Sequence, residues 1–79
     1  MNLTVDIFKN NEINPVFVKA NATIVSSHLE KFANSNSGNN LLKELWKTTH
    51  NCNLDLNQAT LTFEDYQSMM IFMLKNSAS

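Results

Sequence analysis

Arginine is missing from this chain of 79 residues, and all six basic side chains are lysines, at positions 9, 19, 31, 43, 47 and 75. The planar fork that grips phosphates, carboxylates and guanine edges in two-pronged fashion is therefore absent. A single glycine, Gly38, rules out the glycine-rich loops that cradle nucleotide phosphates. A single cysteine, Cys52, rules out an internal disulfide. Charged residues make up 16% of the chain, against about 25% in an average soluble domain. With a formal net charge of -1, no long-range field draws a polyanion or a membrane surface towards it. The N-terminal residues lack a charged segment followed by an apolar one, as secretion signals require, and no apolar run approaches the roughly 20 residues that span a bilayer. Together these absences predict a cytoplasmic protein with no membrane segment, no cofactor and no metal. Its polarity rests on Asn, Ser and Thr.

The length predicts one small domain over residues 1–79, with room for a single modest core. Leu3, Val5 and Ile7 alternate with Thr4, Asp6 and Phe8, the two-residue period of a half-buried strand. A second run, Pro15 to Lys19, follows the polar turn Lys9-Asn10-Asn11-Glu12. Asn tolerates positive φ, so Asn10 and Asn11 suit the two turn positions, and the resulting register sets Val5 opposite Val16 and Leu3 opposite Val18. Proline cannot donate to a ladder, which puts the second strand at an edge.

From Ala22 to Asn34 the period changes. Ile24, Val25, Leu29, Phe32 and Ala33 fall on one side of a helix capped by Asn21 or Thr23. The run Asn34 to Asn39, which holds the glycine, predicts a stop and a loop. A second helix follows through Leu41, Leu42, Leu45 and Trp46 to about His50. Next comes a second hairpin around Asn57-Gln58, facing Leu54 with Leu61 and Leu56 with Ala59. The expected order is ββααββα: an α+β fold in which a small antiparallel sheet of two hairpins carries three helices. The tail, 76–79, is expected to fray.

The last helix dominates the functional reading. Thr62 is its expected cap, Glu64 and Asp65 suit the positive end of the helix dipole, Leu61 can staple onto Tyr66, and Lys75 suits the far end. Between them Met69, Met70, Ile71, Phe72, Met73 and Leu74 form an unbroken apolar run. Side chains stepped about 100° apart point all the way round the axis, so one face cannot take them all. Such a helix calls for cover on every side, from its own domain and from a partner. Tyr66, Met69, Met70, Phe72 and Met73 are the expected partner-binding residues, Met being both a core gap-filler and a residue of adaptable surfaces. On the outer face of the sheet, Phe8, Ile13 and Phe17 form a second candidate cluster.

Convergent catalytic groups are hard to find. His28, between Ile24 and Phe32, reads as a partly buried histidine with a hydrogen-bond partner, set against a tuned or metal-binding one. His50 and Cys52 offer two metal ligands or a Cys–His pair, but a structural zinc site needs four ligands, and no basic cluster prepares a thiolate. Trp46 reads as a core anchor. The leading expectation is a non-enzymatic interaction module that docks on another protein or forms a homodimer, in the size class of the small inhibitors and adaptors carried by phages and mobile elements. The competing expectation is a nucleic-acid-binding regulator using the helix pair 22–50 as a dimer that pools Lys31, Lys43 and Lys47.

Overall fold

Asn10 and Asn11 adopt φ of 54° and 65°, as a two-residue hairpin turn of the primed type demands. In the computed structural model, which describes residues 2–77, they join Phe8–Lys9 (β2) to Glu12–Ile13 (β3), with Phe8 opposite Ile13 and Lys9 opposite Glu12. The turn and its register are those expected from the sequence. The ladder, however, stops there.

What ends it is the dipeptide Asn14-Pro15. The Asn14 side chain accepts from the Val16 N–H at 3.0 Å and donates to the Asp6 carbonyl at 3.1 Å. Pro15 occupies the first helical turn, where its missing N–H costs nothing and its fixed φ is already helical. Pro15–Ser27 is therefore helix α1, not the expected edge strand, and it begins well before Ala22. Phe17, Ala20 and Ile24, spaced for one helical face, are its buried residues. Asn21 and Thr23, the expected caps, lie inside α1. Thr23 donates its hydroxyl proton to the Lys19 carbonyl, while Asn21 accepts from the Trp46 indole N–H at 3.1 Å.

The expected helix over Ala22–Asn34 is thus the end of α1 followed by a separate turn, Leu29–Ala33 (α2), with the break at His28. Helix α3, Gly38–His50, starts at a Ser37 cap that accepts from the Asn40 N–H. Gly38 is its first residue, not a helix stop. Asn51 closes α3 in the left-handed conformation, φ 54° and ψ 48°, a position open to Asn at little cost.

The sheet is built by strands far apart in sequence. Thr60–Phe63 (β5) runs between Thr4–Asp6 (β1) and Cys52–Asp55 (β4), all antiparallel. Val5 faces Leu61 and so does Leu54; Cys52 faces Phe63. Leu54 faces Leu61 as expected, but the ladder ends at Asp55 and Thr60, so Leu56 and Ala59 belong to the turn, where the Asp55 carboxylate accepts from the Asn57 and Gln58 N–H groups and Ala59 is left-handed at φ 54°. The partner of β1 is not the expected one: Val5 pairs with Leu61 instead of Val16.

Helix α4, Tyr66–Ser77, completes an order βββαααββα where ββααββα was expected, so among the described residues the fold is α+β with four helices, a three-stranded sheet and a separate two-stranded hairpin. Of the tail, Asn76 and Ser77 are helical, and 78–79 lie outside the described residues. Leu54, Leu61, Cys52 and Phe63 line the sheet's inner face, against which α1, α3 and α4 gather, with Trp46 and Phe72 wholly enclosed. No helix among the described residues is long and apolar enough to cross a membrane.

Candidate docking surface

Because β5 holds Thr60–Phe63 in the sheet, the last helix cannot start at Thr62. Its cap lies three residues later, at Asp65, and the helix begins at Tyr66. The Asp65 carboxylate accepts from the Ser68 N–H at 2.7 Å, and its carbonyl accepts from the Met69 N–H at 3.3 Å. That is the geometry of an N-cap. Hydrogen bonds from the Ser68 N–H, the Ser68 hydroxyl and the Asn51 amide hold its carboxyl below the usual range. Asn51 ties this cap to the end of α3: its side-chain amide donates to Asp65 at 3.3 Å and to the Ser68 hydroxyl at 3.1 Å, and its carbonyl accepts from the Glu64 N–H. Glu64 in turn pairs with Lys47 and accepts from Asn53, and the Lys47 ammonium draws its carboxyl down.

These ties fix the rotation of α4, and the rotation divides its apolar run between two sides. Phe72 turns inward and is 1% exposed. Its ring meets Phe63 at 5.1 Å, Trp46 at 5.7 Å and His50 edge-on at 5.0 Å, while Trp46 stacks on Phe17 at 5.4 Å. Met69 and Met73, one helical turn from each other, are half-buried against the same core. On the opposite side Tyr66, Met70 and Leu74 succeed one another at intervals of four residues and are 47%, 39% and 69% exposed, with Ile71 beside them at 45%.

Of the five expected contact residues, then, Tyr66 and Met70 stand on the open side, Met69 and Met73 sit at the boundary, and Phe72 is interior and cannot meet a partner. Ile71 and Leu74 belong to the open face and were not among the five. The signal for them was the step of about 100° per residue: with Phe72 inward, neighbours one before and two after must point away. The second cluster is smaller than expected. Phe8 and Ile13 are an exposed cross-strand pair, while Phe17 is buried in the core.

The titratable candidates occupy separate settings. His28 is half-buried with its Nδ1 2.8 Å from the Ile24 carbonyl, the partnered state expected of it. Cys52 is fully enclosed, and burial pushes its thiol up to about 12 against the weaker opposing pull of Lys47. Such a thiol is neither nucleophile nor ready ligand at neutral pH. His50 packs on aromatic rings, and burial, followed by the nearby Lys75, lowers its affinity for a proton. Among the described residues no three His, Cys, Asp or Glu side chains converge as a metal site. Comparison of the chain with models of protein families, with curated proteins and with solved structures finds no match.

Proposed function

We propose that this chain is a non-enzymatic interaction module that docks on a larger protein through the outer face of α4, in the manner of a small inhibitor or adaptor. The observation that carries this reading is the row Tyr66, Met70 and Leu74 with Ile71, an uncharged apolar strip on a helix whose other side already serves the core. Scattered exposed hydrophobics need no explanation, but four adjoining ones on one helical face match the anchors with which amphipathic helices enter apolar grooves. Two features make the face suited to docking. Asn51, Asp65 and Ser68 hold the helix in one rotation, so little order is lost on contact. Met70 supplies a side chain that repacks readily.

The test is covalent capture. With a photo-reactive side chain at position 74, irradiation in cells is expected to give a discrete higher-mass adduct, and the same group at the exposed Lys31 of α2 is expected to give none. Equal patterns from the two positions, or no adduct at position 74, would contradict the proposal. The nucleic-acid reading gains no support of its own: Lys47, one of the three lysines it needs, is engaged by Glu64.

A further inference from the structure

The three-stranded sheet has an open edge at β1. The Phe63 N–H donates to the Leu3 carbonyl and the Ile7 N–H to the Ala59 carbonyl, so Leu3, Val5 and Ile7 turn their backbone groups towards β5. Thr4 and Asp6, both exposed, turn theirs away. Side chains cover two of these four outward groups: Asn2 Oδ1 accepts from the Thr4 N–H at 3.0 Å, and the Asn14 amide donates to the Asp6 carbonyl at 3.1 Å. Blunting an edge in this way guards against indiscriminate pairing. The Thr4 carbonyl and the Asp6 N–H have no hydrogen-bond partner among the described residues.

Beside this edge lies a concavity of about 500 Å³. Ile7 creates it: its N–H stays with Ala59 while its carbonyl accepts from the Asn14 N–H at 2.7 Å, so the hairpin β2–β3 leaves the sheet. Val5, whose side chain shares the inner face with Leu61, and Asp6, on the outer face, both border the space, which places it at the strand's edge. Glu12, Ile13 and Pro15 wall its far side.

We infer that β1 receives a short extended peptide segment of another protein, laid parallel to it, with an apolar residue level with Val5 and a basic residue next along. This site is separate from the outer face of α4 and does not rest on it. In a parallel ladder one residue donates its N–H to the carbonyl before its neighbour and accepts from the N–H after that neighbour. For Val5 those two groups are the Thr4 carbonyl and the Asp6 N–H, the free pair. An antiparallel neighbour, a second copy of β1 included, would instead call on the Thr4 N–H, which Asn2 holds. The side chain level with Val5 enters the concavity beside Ile13 and Pro15. The next falls beside Asp6, whose carboxylate, like that of Glu12, has no cation within ion-pair distance among the described residues.

The experiment is a nuclear magnetic resonance titration of the whole, isotope-labelled chain with a blocked pentapeptide that has valine at its centre, lysine on either side and serine at each end. Expected are saturable shifts at Thr4, Val5 and Asp6, with the Asp6 N–H moving downfield as it gains an acceptor. N-methylation of the central valine, which removes the N–H meant for the Thr4 carbonyl, weakens binding about tenfold. Asp6→Asn, checked for an unchanged melting temperature, weakens it about threefold. A spin label on the N-terminus of the peptide broadens Asn2 more than Asn14. Shifts that rise linearly without saturating, equal affinity for the N-methylated peptide, indifference to Asp6→Asn, or broadening in the reverse order would overturn the assignment. So would shifts at Asp6 on concentrating the chain alone, since a second copy would then occupy the edge.

Discussion

Asn51 combines three functions that few side chains can supply together. It ends α3 in the left-handed region, donates to the Asp65 carboxylate, and donates to the Ser68 hydroxyl. Replacing it separates backbone from side-chain contributions. Asn51→Gly keeps the left-handed turn and loses the two bonds, for an expected cost of about 1 kcal/mol, while Asn51→Ala adds the left-handed penalty and is expected to cost about 2–3 kcal/mol. Urea unfolding with an unchanged slope measures both; equal costs would mean that the conformation contributes nothing. Phe72 and Leu74 give a second pair, two residues apart on one helix. Phe72→Ala removes a ring that touches three others and is expected to cost about 3–5 kcal/mol, whereas Leu74→Ser is expected to stay within about 0.5 kcal/mol. Loss of similar size at both sites would place Leu74 in the core and remove the open face. At this scale the sequence was legible where a residue's size decided its fate, as for Trp46. It was silent on bonds whose partners lie far along the chain or on the backbone, such as Asn21 to the Trp46 indole and His28 to the Ile24 carbonyl.

Among the elements, the body of helix α3 could be read from its one-sided spacing, though not its start at Gly38, and the hairpin Cys52 to Phe63 from two short apolar runs whose faces agree across one turn. The first third of the chain could not. Val16 and Val18 alternate over too few residues to specify a strand, and the stronger signals were a capping Asn before Pro and the spacing of Phe17, Ala20 and Ile24. A correct turn at Asn10-Asn11 then lent support to a ladder that extends no further than Phe8 and Ile13. The pairing of β1 with β5 joins residues more than fifty apart, which local pattern does not encode. The α3–α4 contact carries a pH dependence of its own. Folding lowers the proton affinity of His50, chiefly through burial and secondly through Lys75. Between its lowered value and the ordinary histidine value the unfolded chain binds more protons, so stability rises with pH across that window. The contribution is complete above the ordinary histidine range and is lost as the pH falls through the lowered value; the contributions of Glu64 and Asp65, also lowered, are lost further into acid. Melting temperatures from pH 8 to 5 are expected to fall for the parent and to flatten for His50→Gln. Parallel curves for the two proteins would mean that His50 is not the group responsible.

For the molecule as a whole, the apolar run near the C-terminus sets the terms. A domain of 79 residues has one core, and α1, α3 and the sheet offer that core a single side of α4. The sequence announced more apolar surface than one side can hold; it did not announce which residues would be left outside, because that depends on the rotation fixed by Asn51, Asp65 and Ser68. The central claim is that the leftover strip, Tyr66, Met70, Ile71 and Leu74, exists to be covered by another protein surface. The most direct measurement is the mass, by light scattering, of the species isolated from cells expressing the chain, compared with that of a Met70→Glu/Leu74→Glu variant of equal melting temperature. The account predicts a stoichiometric assembly heavier than the 9.0 kDa chain that reverts to the single chain in the variant. A lone 9.0 kDa species in both preparations would contradict it.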